Sequence, residues 1–209
     1  MRFRTAPRIE PCWKSAGRVT WNEPAIVCGR EKVVVVAASG TSGAGRKGSV
    51  ALSATEVMGS MSAYKVGGIH QHTAEVVQEL SDIAGTDVTL SFTPMLAPMP
   101  RGILATTTLR TRDNVRPEDV RQAFADYYAF TPFVQVLPDG TWPTTAATAG
   151  TNCAHLQLAV DERVGRVVVI AAIDNLGKGA AGQAVQNANL MCDFPETTGL
   201  NMLGVAPRV

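Results

Sequence analysis

The chain has 209 residues, of which 45% are hydrophobic and 18% charged, and its formal net charge is +1. This length and composition predict one globular domain with a stable core, and the balanced charge argues against a nucleic-acid partner. No apolar run is long enough to span a bilayer, and none follows the basic start as in a secretory signal. We therefore expect no membrane partner. Because the four cysteines show no disulfide-framework spacing, we also expect reduced thiols and a cytoplasmic location.

Residues 1–31 differ from the rest of the chain. They hold two of the three tryptophans, three prolines and Cys12, and they show no clear helical or strand period. We therefore divide the chain into an atypical N-terminal segment over residues 1–31, for which disorder is one interpretation, and a globular domain over residues 32–209.

The domain begins with a valine-rich strand, predicted at residues 32–38. A loop with three glycines, two serines and a threonine follows, ending in Arg46 and Lys47. Exposed backbone N–H groups beside two cations could hold a phosphate or carboxylate. The alternative is an ordinary flexible loop.

Two histidines, His70 and His72, precede a helix predicted at residues 75–84, with Thr73 as its N-cap. Residues at i and i+2 do not share a helix face, so this segment is extended or a turn. His-x-His without a third ligand nearby is weak evidence for a metal site, and we predict none. From the pattern alone, these histidines are structural or catalytic.

Arg101 lies between a proline-rich link and the next predicted strand. An arginine held there could bind a carboxylate through its planar fork, or it could be an ordinary surface residue. The surrounding pattern predicts strands at 87–93, 102–110, 133–137, 155–160 and 166–173, and a helix at 117–128. The expected fold is α+β: a mixed, largely antiparallel sheet with helices packed on one face.

A glycine-rich turn and a helix follow the last strand, over residues 174–189. Apolar and small residues recur at helical spacing and are predicted to form its inward face: Ala181, Ala184, Val185, Ala188, Met191 and Cys192. Lys178 stands where free N–H groups begin the helix, which suits an anionic ligand; a solvated lysine is the alternative. Asn152, in an earlier turn, is a turn residue or a substrate amide contact. Cys153 and Cys192 are expected to be buried and inert.

Five motifs in order resemble N-acetyl-γ-glutamyl-phosphate reductase of arginine biosynthesis. They are SGTSGAGRK (39–47), GGIHQHTAEV (67–76), SFTPMLAPMPRGILAT (91–106), DNLGKGAAGQAVQNAN (174–189) and FPETTGL (194–200). The resemblance covers the C-terminal catalytic and dimerisation domain of that family, whose fold is like that of semialdehyde and glyceraldehyde-phosphate dehydrogenases. It implies NADPH-dependent reduction of N-acetylglutamyl phosphate to the semialdehyde, and a homo-oligomer formed through the sheet.

The resemblance also implies site residues. His70 corresponds to the general acid/base. The expected substrate-binding residues are Arg46, His72, Arg101 and Asn152. The expected cofactor-binding residues are Ser42, Gly43, Asn175, Lys178 and Gly179.

The chain departs from the family in two respects. No Gly-x-Gly-x-x-Gly turn occurs near its start, and Cys12, at 27 positions before Ser39, lacks most of the family's nucleophile motif. We therefore expect an incomplete chain, inactive alone. The alternatives are a non-catalytic dimerisation module or gene remnant, and an acyl-group hydrolase using Cys12 and His70.

Overall fold

The computed structural model describes residues 32–45, 47–112 and 115–204. The strands in this part of the chain are β1 (Val33–Ser39), β2 (Ser62–Ala63), β3 (Leu90–Leu96), β4 (Ile103–Arg110), β5 (Val134–Val136), β6 (Ala154–Asp161) and β7 (Arg166–Ile173). The α-helices are α1 (Ala54–Val57), α2 (Gln71–Ala84), α3 (Pro117–Tyr128), α4 (Thr145–Thr148) and α5 (Gly182–Met191). Short 3-10 turns cover Thr41–Ala44 and Val50–Leu52, and a π-helical turn covers Gly177–Ala181.

The strands form one mixed sheet in the order β2-β3-β1-β4-β7-β6-β5. The β1–β3 and β5–β6 pairs are parallel, and the other four pairs are antiparallel. Helices α2 and α3 bury their apolar faces against one side of this sheet, in a core that includes Leu80, Leu109, Phe124, Leu156 and Val167. The predicted α+β fold, with its largely antiparallel sheet and helices on one face, is confirmed.

The other side of the sheet is less covered. Val34 and Val36 of β1 alternate with the core residue Val33 and are 37% and 36% exposed. In register with them lie Thr106 and Thr108 of β4, which in turn pair with Ile170 and Val168 of β7. The sheet therefore presents a β-branched surface away from α2 and α3, and we call it the open sheet face.

The predicted bounds of α3 and β7 match the structure, those of β1, β4, β5 and β6 agree within one residue, and α2 and β3 differ by more. Helix α2 begins at Gln71, and its N-cap is His70 rather than Thr73, whose buried hydroxyl has no partner among the described residues. Strand β3 begins at Leu90 rather than at residue 87, and it extends past residue 93 through Pro94 to Leu96. Because β2 pairs only with Met95 and Leu96, Pro94 can lie in the strand without removing a β2–β3 ladder bond.

The predicted orientation of α5 is wrong. The face expected to lie inward, comprising Ala181, Ala184, Val185, Ala188, Met191 and Cys192, is exposed. The buried residues of this helix are the amides Gln183, Gln186, Asn187 and Asn189. They are held by polar contacts: the side chain of Asn189, for example, donates to the carbonyls of Glu196 (3.2 Å) and Thr198 (2.9 Å). The hydrophobic period located a helix face correctly, but amide partners from the following segment decide which face is buried.

Across the part of the chain that the structure describes, no helix has the length and apolar character needed to cross a membrane.

Candidate functional site

The register of the sheet brings four loops to one edge. Ser39 at the end of β1 pairs with Ile103 at the start of β4, Ile103 pairs with Ile173 at the end of β7, and Ile173 pairs with Ala154 at the start of β6. The segments that follow β1 and β7 and precede β4 and β6 must therefore meet there. These segments carry most of the predicted site residues.

Asn175 joins two of these loops. Its Oδ1 accepts from the backbone N–H of Gly102 at 2.7 Å, and its Nδ2 donates to the hydroxyl of Ser42 at 2.9 Å. Gly43 packs beside this contact, because an added Cβ would lie 3.6 Å from Asn175 Nδ2 and 3.2 Å from Ser39 Oγ. The structure thus brings together three residues that the resemblance assigned to one site.

The backbone of the loop after β1 is already hydrogen-bonded, which corrects the expectation that its N–H groups are exposed. The N–H groups of Gly40, Thr41, Ser42, Gly43 and Gly45 donate to the carbonyls of Gly102, Met99, Pro100, Gly40 and Ser42, respectively. The loop forms a 3-10 turn. It packs so closely on the segment before β4 that a Cβ on Gly40 would lie 2.7 Å from the backbone nitrogen of Arg101. These five donors are used inside the protein rather than offered to a phosphate.

Arg101 is held by a buried carboxylate that the sequence analysis did not single out. Its Nε donates to Asp174 Oδ1 at 2.8 Å, and the two side chains are 44% and 0% exposed. Burial alone would raise the pKa of Asp174, but hydrogen bonds from Arg101 and the backbone of Gly177, Gly150 and Leu176 outweigh it and lower the pKa. An aspartate between a buried strand and a glycine turn was the available sequence signal.

Asn152 and Lys178 meet inside the protein at one acceptor. Gln186 Oε1 receives Lys178 Nζ at 2.7 Å and Asn152 Nδ2 at 2.8 Å. Lys178 is 2% exposed, and its ammonium lies 5.6 Å from the centre of the Phe133 ring. The backbone N–H of Gly179 donates to the carbonyl of Asp174 at 2.7 Å. Thus Lys178 and Asn152 lie beneath the edge, packed between the sheet and α5.

His70 lies at the start of α2, where its Nδ1 accepts from the backbone N–H of His72 at 3.2 Å. Its ring makes edge contacts with Tyr64, His72 and Phe92, at centroid distances of 5.7, 4.8 and 5.4 Å. Burial lowers the pKa of His70, and the nearby His72 and Lys65 lower it further. A neutral imidazole that accepts at Nδ1 carries its proton on Nε2.

The sheet register separates the strand residue that contacts His70 from the start of β4. Phe92, which touches His70, lies four residues along β3 from Leu96, and Leu96 is two strands away from Ile103. Strand rise and strand spacing place Phe92 and Ile103 roughly 15 Å apart. His70 therefore lies against the middle of β3 rather than at the sheet edge where β4 begins.

The cysteine predictions have different outcomes. Cys12 lies outside the described residues, as does Arg46. Cys153 is buried, and burial raises the pKa of its thiol, so it suits the inert role expected. Cys192, expected to be buried, is exposed at the end of α5. Within the described ranges, no three histidine, cysteine, aspartate or glutamate side chains cluster as metal ligands do.

Known proteins that match this chain identify a family and the part of its members that the chain covers. The family described as "Semialdehyde dehydrogenase, dimerisation domain" matches residues 24–175. The N-acetyl-gamma-glutamyl-phosphate reductase of Acidothermus cellulolyticus is 62% identical over 177 residues, covering 85% of this chain and 52% of the relative. That of Thermobifida fusca is 57% identical over 176 residues, covering 84% and 52%. The chain thus spans about half the length of the curated relatives it matches.

Solved structures show the same fold at low sequence identity. Aspartate semialdehyde dehydrogenase II from Vibrio cholerae superposes with a TM-score of 0.70 at 17% identity, over 88% of this chain and 62% of that one. A probable aspartate-semialdehyde dehydrogenase from Pseudomonas aeruginosa gives 0.67 at 18% identity, over 88% and 61%. At this identity the likeness shows the fold alone.

Proposed function

We propose that this chain, which belongs to the semialdehyde dehydrogenase dimerisation-domain family, is the substrate-binding and subunit-pairing part of an N-acetyl-γ-glutamyl-phosphate reductase. The complete reaction would be the NADPH-dependent reduction of N-acetylglutamyl phosphate to its semialdehyde, in the cytoplasm. The observation that carries the proposal is the 62% identity to a reductase of that name. The clustering of Ser42, Arg101 and Asn175 at one sheet edge supports it.

Arg101 is the proposed anchor for the substrate carboxylate. Its only hydrogen bond to a described residue is made through Nε, so both Nη nitrogens remain available to an oxyanion. The Ser42 hydroxyl accepts from Asn175, which leaves its own proton free to donate to a ligand. Arg46 and His72 are the other proposed substrate contacts. Asn152 is 2% exposed and its Nδ2 donates to buried Gln186, so we assign it a structural role beneath the site.

His70 is the proposed proton carrier, with His72 beside it. Because burial lowers its pKa, the ring is neutral near pH 7, and the helix cap at Nδ1 directs its proton to Nε2. Only Nε2 can then exchange a proton with a reacting group. Cys12, which lacks most of the family's nucleophile motif, would act with it only in the alternative acyl-group hydrolase.

The described residues do not by themselves suit a dinucleotide. The loop after β1 uses its N–H groups internally, Asn175 is committed to Ser42 and Gly102, and Lys178 donates to buried Gln186. Gly43, Asn175 and Gly179 remain candidates for contacts at the edge of a cofactor held elsewhere. We assign the main nucleotide site to a separate part of the enzyme and derive no hydride step here.

The exposed face of α5 is the proposed contact for that nucleotide-binding part. Val185 and Met191 are 43% and 54% exposed, and Phe194 just beyond the helix is 58% exposed. This helix lies past residue 175, where the match to the dimerisation domain ends, and the relatives have nearly half their length outside the matched region. It also continues directly from the segment holding Asn175 and Gly179, so its partner would lie beside the site.

The open sheet face is the proposed contact between two copies of the chain. It carries exposed Val34 and Val36 beside threonine and β-branched side chains. Apolar surface of this kind on a sheet is typical of a subunit interface, and the family's description names dimerisation. A dimerisation module without catalysis is the second candidate function.

Complementation tests the catalytic proposal. The purified chain should not oxidise NADPH with N-acetylglutamyl phosphate, whereas mixing it with the separately expressed N-terminal half of the Acidothermus cellulolyticus relative should restore turnover. His70→Asn in this chain should abolish the restored activity. Turnover by the chain alone above a Cys12→Ser control would refute the incomplete-chain proposal, and folded halves that associate without turnover would favour the module.

Two charge substitutions separate the two contacts. Val185→Glu on α5 should prevent complementation and leave the self-association of the chain unchanged. Val36→Lys on the open sheet face should shift sedimentation toward the monomer. Val164→Lys, in an exposed turn, is the matched control and should do neither. A dimer that persists in Val36→Lys contradicts the proposed interface.

A further inference from the structure

Asp174 collects more hydrogen bonds than a turn requires. Its Oδ1 accepts from Arg101 Nε at 2.8 Å and from the backbone N–H groups of Leu176 and Gly177, each at 2.9 Å. Its Oδ2 accepts from the N–H of Gly150 at 2.5 Å. The carboxylate is fully buried, and these four donors come from three separate segments of the chain. Three backbone N–H groups therefore hold the Asp174 carboxylate in place independently of Arg101.

The side chain of Arg101, the partner of Asp174, is only partly buried. Nε is engaged, and neither Nη1 nor Nη2 has a partner among the described residues, while the side chain is 44% exposed. A guanidinium is planar, so fixing Nε against a rigid acceptor also fixes the plane and direction of the other two nitrogens. Because Nε is engaged by Asp174, the edge left to bind a carboxylate or phosphate in bidentate fashion is the one formed by Nη1 and Nη2.

The packing of the segment that carries Arg101 and Gly102 also restrains the position of Arg101. Gly102, next to Arg101, has φ +107 and an added Cβ there would lie 2.7 Å from the Thr145 side chain. The Gly102 N–H is held by Asn175, the neighbour of Asp174. Two consecutive residues after β7 thus hold two consecutive residues before β4, one through the side chain and one through the backbone.

We propose that Asp174 is a positioning residue, which holds the Arg101 guanidinium through Nε so that its two Nη nitrogens face an incoming oxyanion. The inference rests on the proposed role of Arg101 as the substrate anchor and adds the residue that sets its geometry. Asp174 itself does not touch the anion.

Electrostatics and positioning predict opposite effects of neutralising Asp174. By Coulomb's law its negative charge repels an anion bound to Arg101, so removing that charge without moving Arg101 would tighten binding. If Asp174 orients the fork, its loss frees the side chain to rotate, and binding weakens. The sign of the change therefore distinguishes the two effects.

An NMR titration of the isotope-labelled full chain measures that sign. The probes are N-acetylglutamate and, separately, inorganic phosphate, and the variants are Asp174→Asn, Arg101→Lys and the control Asp161→Asn, which alters an exposed ion pair with Arg163. Loss of one charge-assisted contact corresponds to about tenfold weaker binding in Asp174→Asn. Arg101→Lys should weaken binding similarly despite keeping the charge, and Asp161→Asn should bind as the wild type does.

The Nε–H signal of Arg101 gives a readout that a purely structural role would not predict. In the wild type it should exchange slowly with water, and in Asp174→Asn it should exchange rapidly while the β7 amides keep their shifts. Equal or tighter binding by Asp174→Asn, or a rapidly exchanging Arg101 signal in the wild type, overturns the proposal, and the second measurement needs no variant. Phosphate binding without N-acetylglutamate binding would retain the positioning role and contradict the substrate proposal.

Discussion

Replacing Asn175 by alanine should measure how much the hydrogen bonds between the loops of the candidate site contribute to the free energy of unfolding. The side chain is 7% exposed and makes two hydrogen bonds, to the Gly102 N–H and to Ser42 Oγ. Each bond contributes about 1 kcal/mol net, and a buried N–H left without a partner costs about 1–3 kcal/mol. Because Ser42 can turn toward solvent but Gly102 cannot, we expect Asn175→Ala to lower the free energy of unfolding by about 2–4 kcal/mol.

Urea unfolding followed by circular dichroism measures this change, with Asn201→Ala as the control at an exposed asparagine. The control removes an exposed hydrogen bond from the Leu203 N–H, so it should lose no more than about 1 kcal/mol. A loss below about 1 kcal/mol in Asn175→Ala would show that the Gly102 N–H finds another partner, and would refute the reasoning.

Asn175→Asp extends the test with a pH dependence. The new carboxyl would be buried beside the ionised Asp174, so its pKa in the folded protein would rise above the unfolded value. A raised folded pKa stabilises the protein below the unfolded pKa and loses that contribution as the pH rises. Asn175→Asp should therefore be closer to wild-type stability at about pH 5 than at about pH 8, and the reverse order would contradict the burial of this site.

Two further predictions concern His70 and Gly182. Because burial lowers the His70 pKa, its contribution to stability is present above about pH 6.5 and is lost as the pH falls through the lower folded value. His70→Asn keeps a good N-cap without the titration, so its unfolding free energy should fall less between about pH 8 and pH 5 than that of the wild type; an equal fall would assign the dependence elsewhere. Gly182→Ala would gain about 0.5–1 kcal/mol of helix propensity but place a Cβ against Asn152 Oδ1, so we expect a net loss of about 1–3 kcal/mol in urea unfolding. Gly48→Ala, where a Cβ meets open space, should be near neutral, and a stabilised Gly182→Ala would show that the contact is easily relieved.

The fold was largely predictable because its signals are local. The bounds of α3 follow from Pro117 at its first turn and from apolar residues at helical spacing, and those of β7 from its run of β-branched residues. The edge carrying Arg101 and Asn175 required the resemblance, because 73 residues separate Gly102 from Asn175 and only the sheet register joins them. Asp174 carried a sequence signal, an acidic residue before a glycine turn, but its partner could not be identified without that register.

The helix α5 shows why amphipathic period does not fix orientation. Its apolar face and its amide face were both visible in the sequence, and burial of the apolar one was the reasonable expectation. In the structure the amides are buried because Gln186 receives Asn152 and Lys178 at one oxygen and Asn189 is held by the segment after the helix. Such contacts satisfy polar groups but do not explain the exposed apolar stripe, since a helix that contacted only this domain could carry polar residues there at little cost. The proposed docking of a nucleotide-binding part on this face would account for the stripe, and nearly half of the length of the relatives lies outside the matched region.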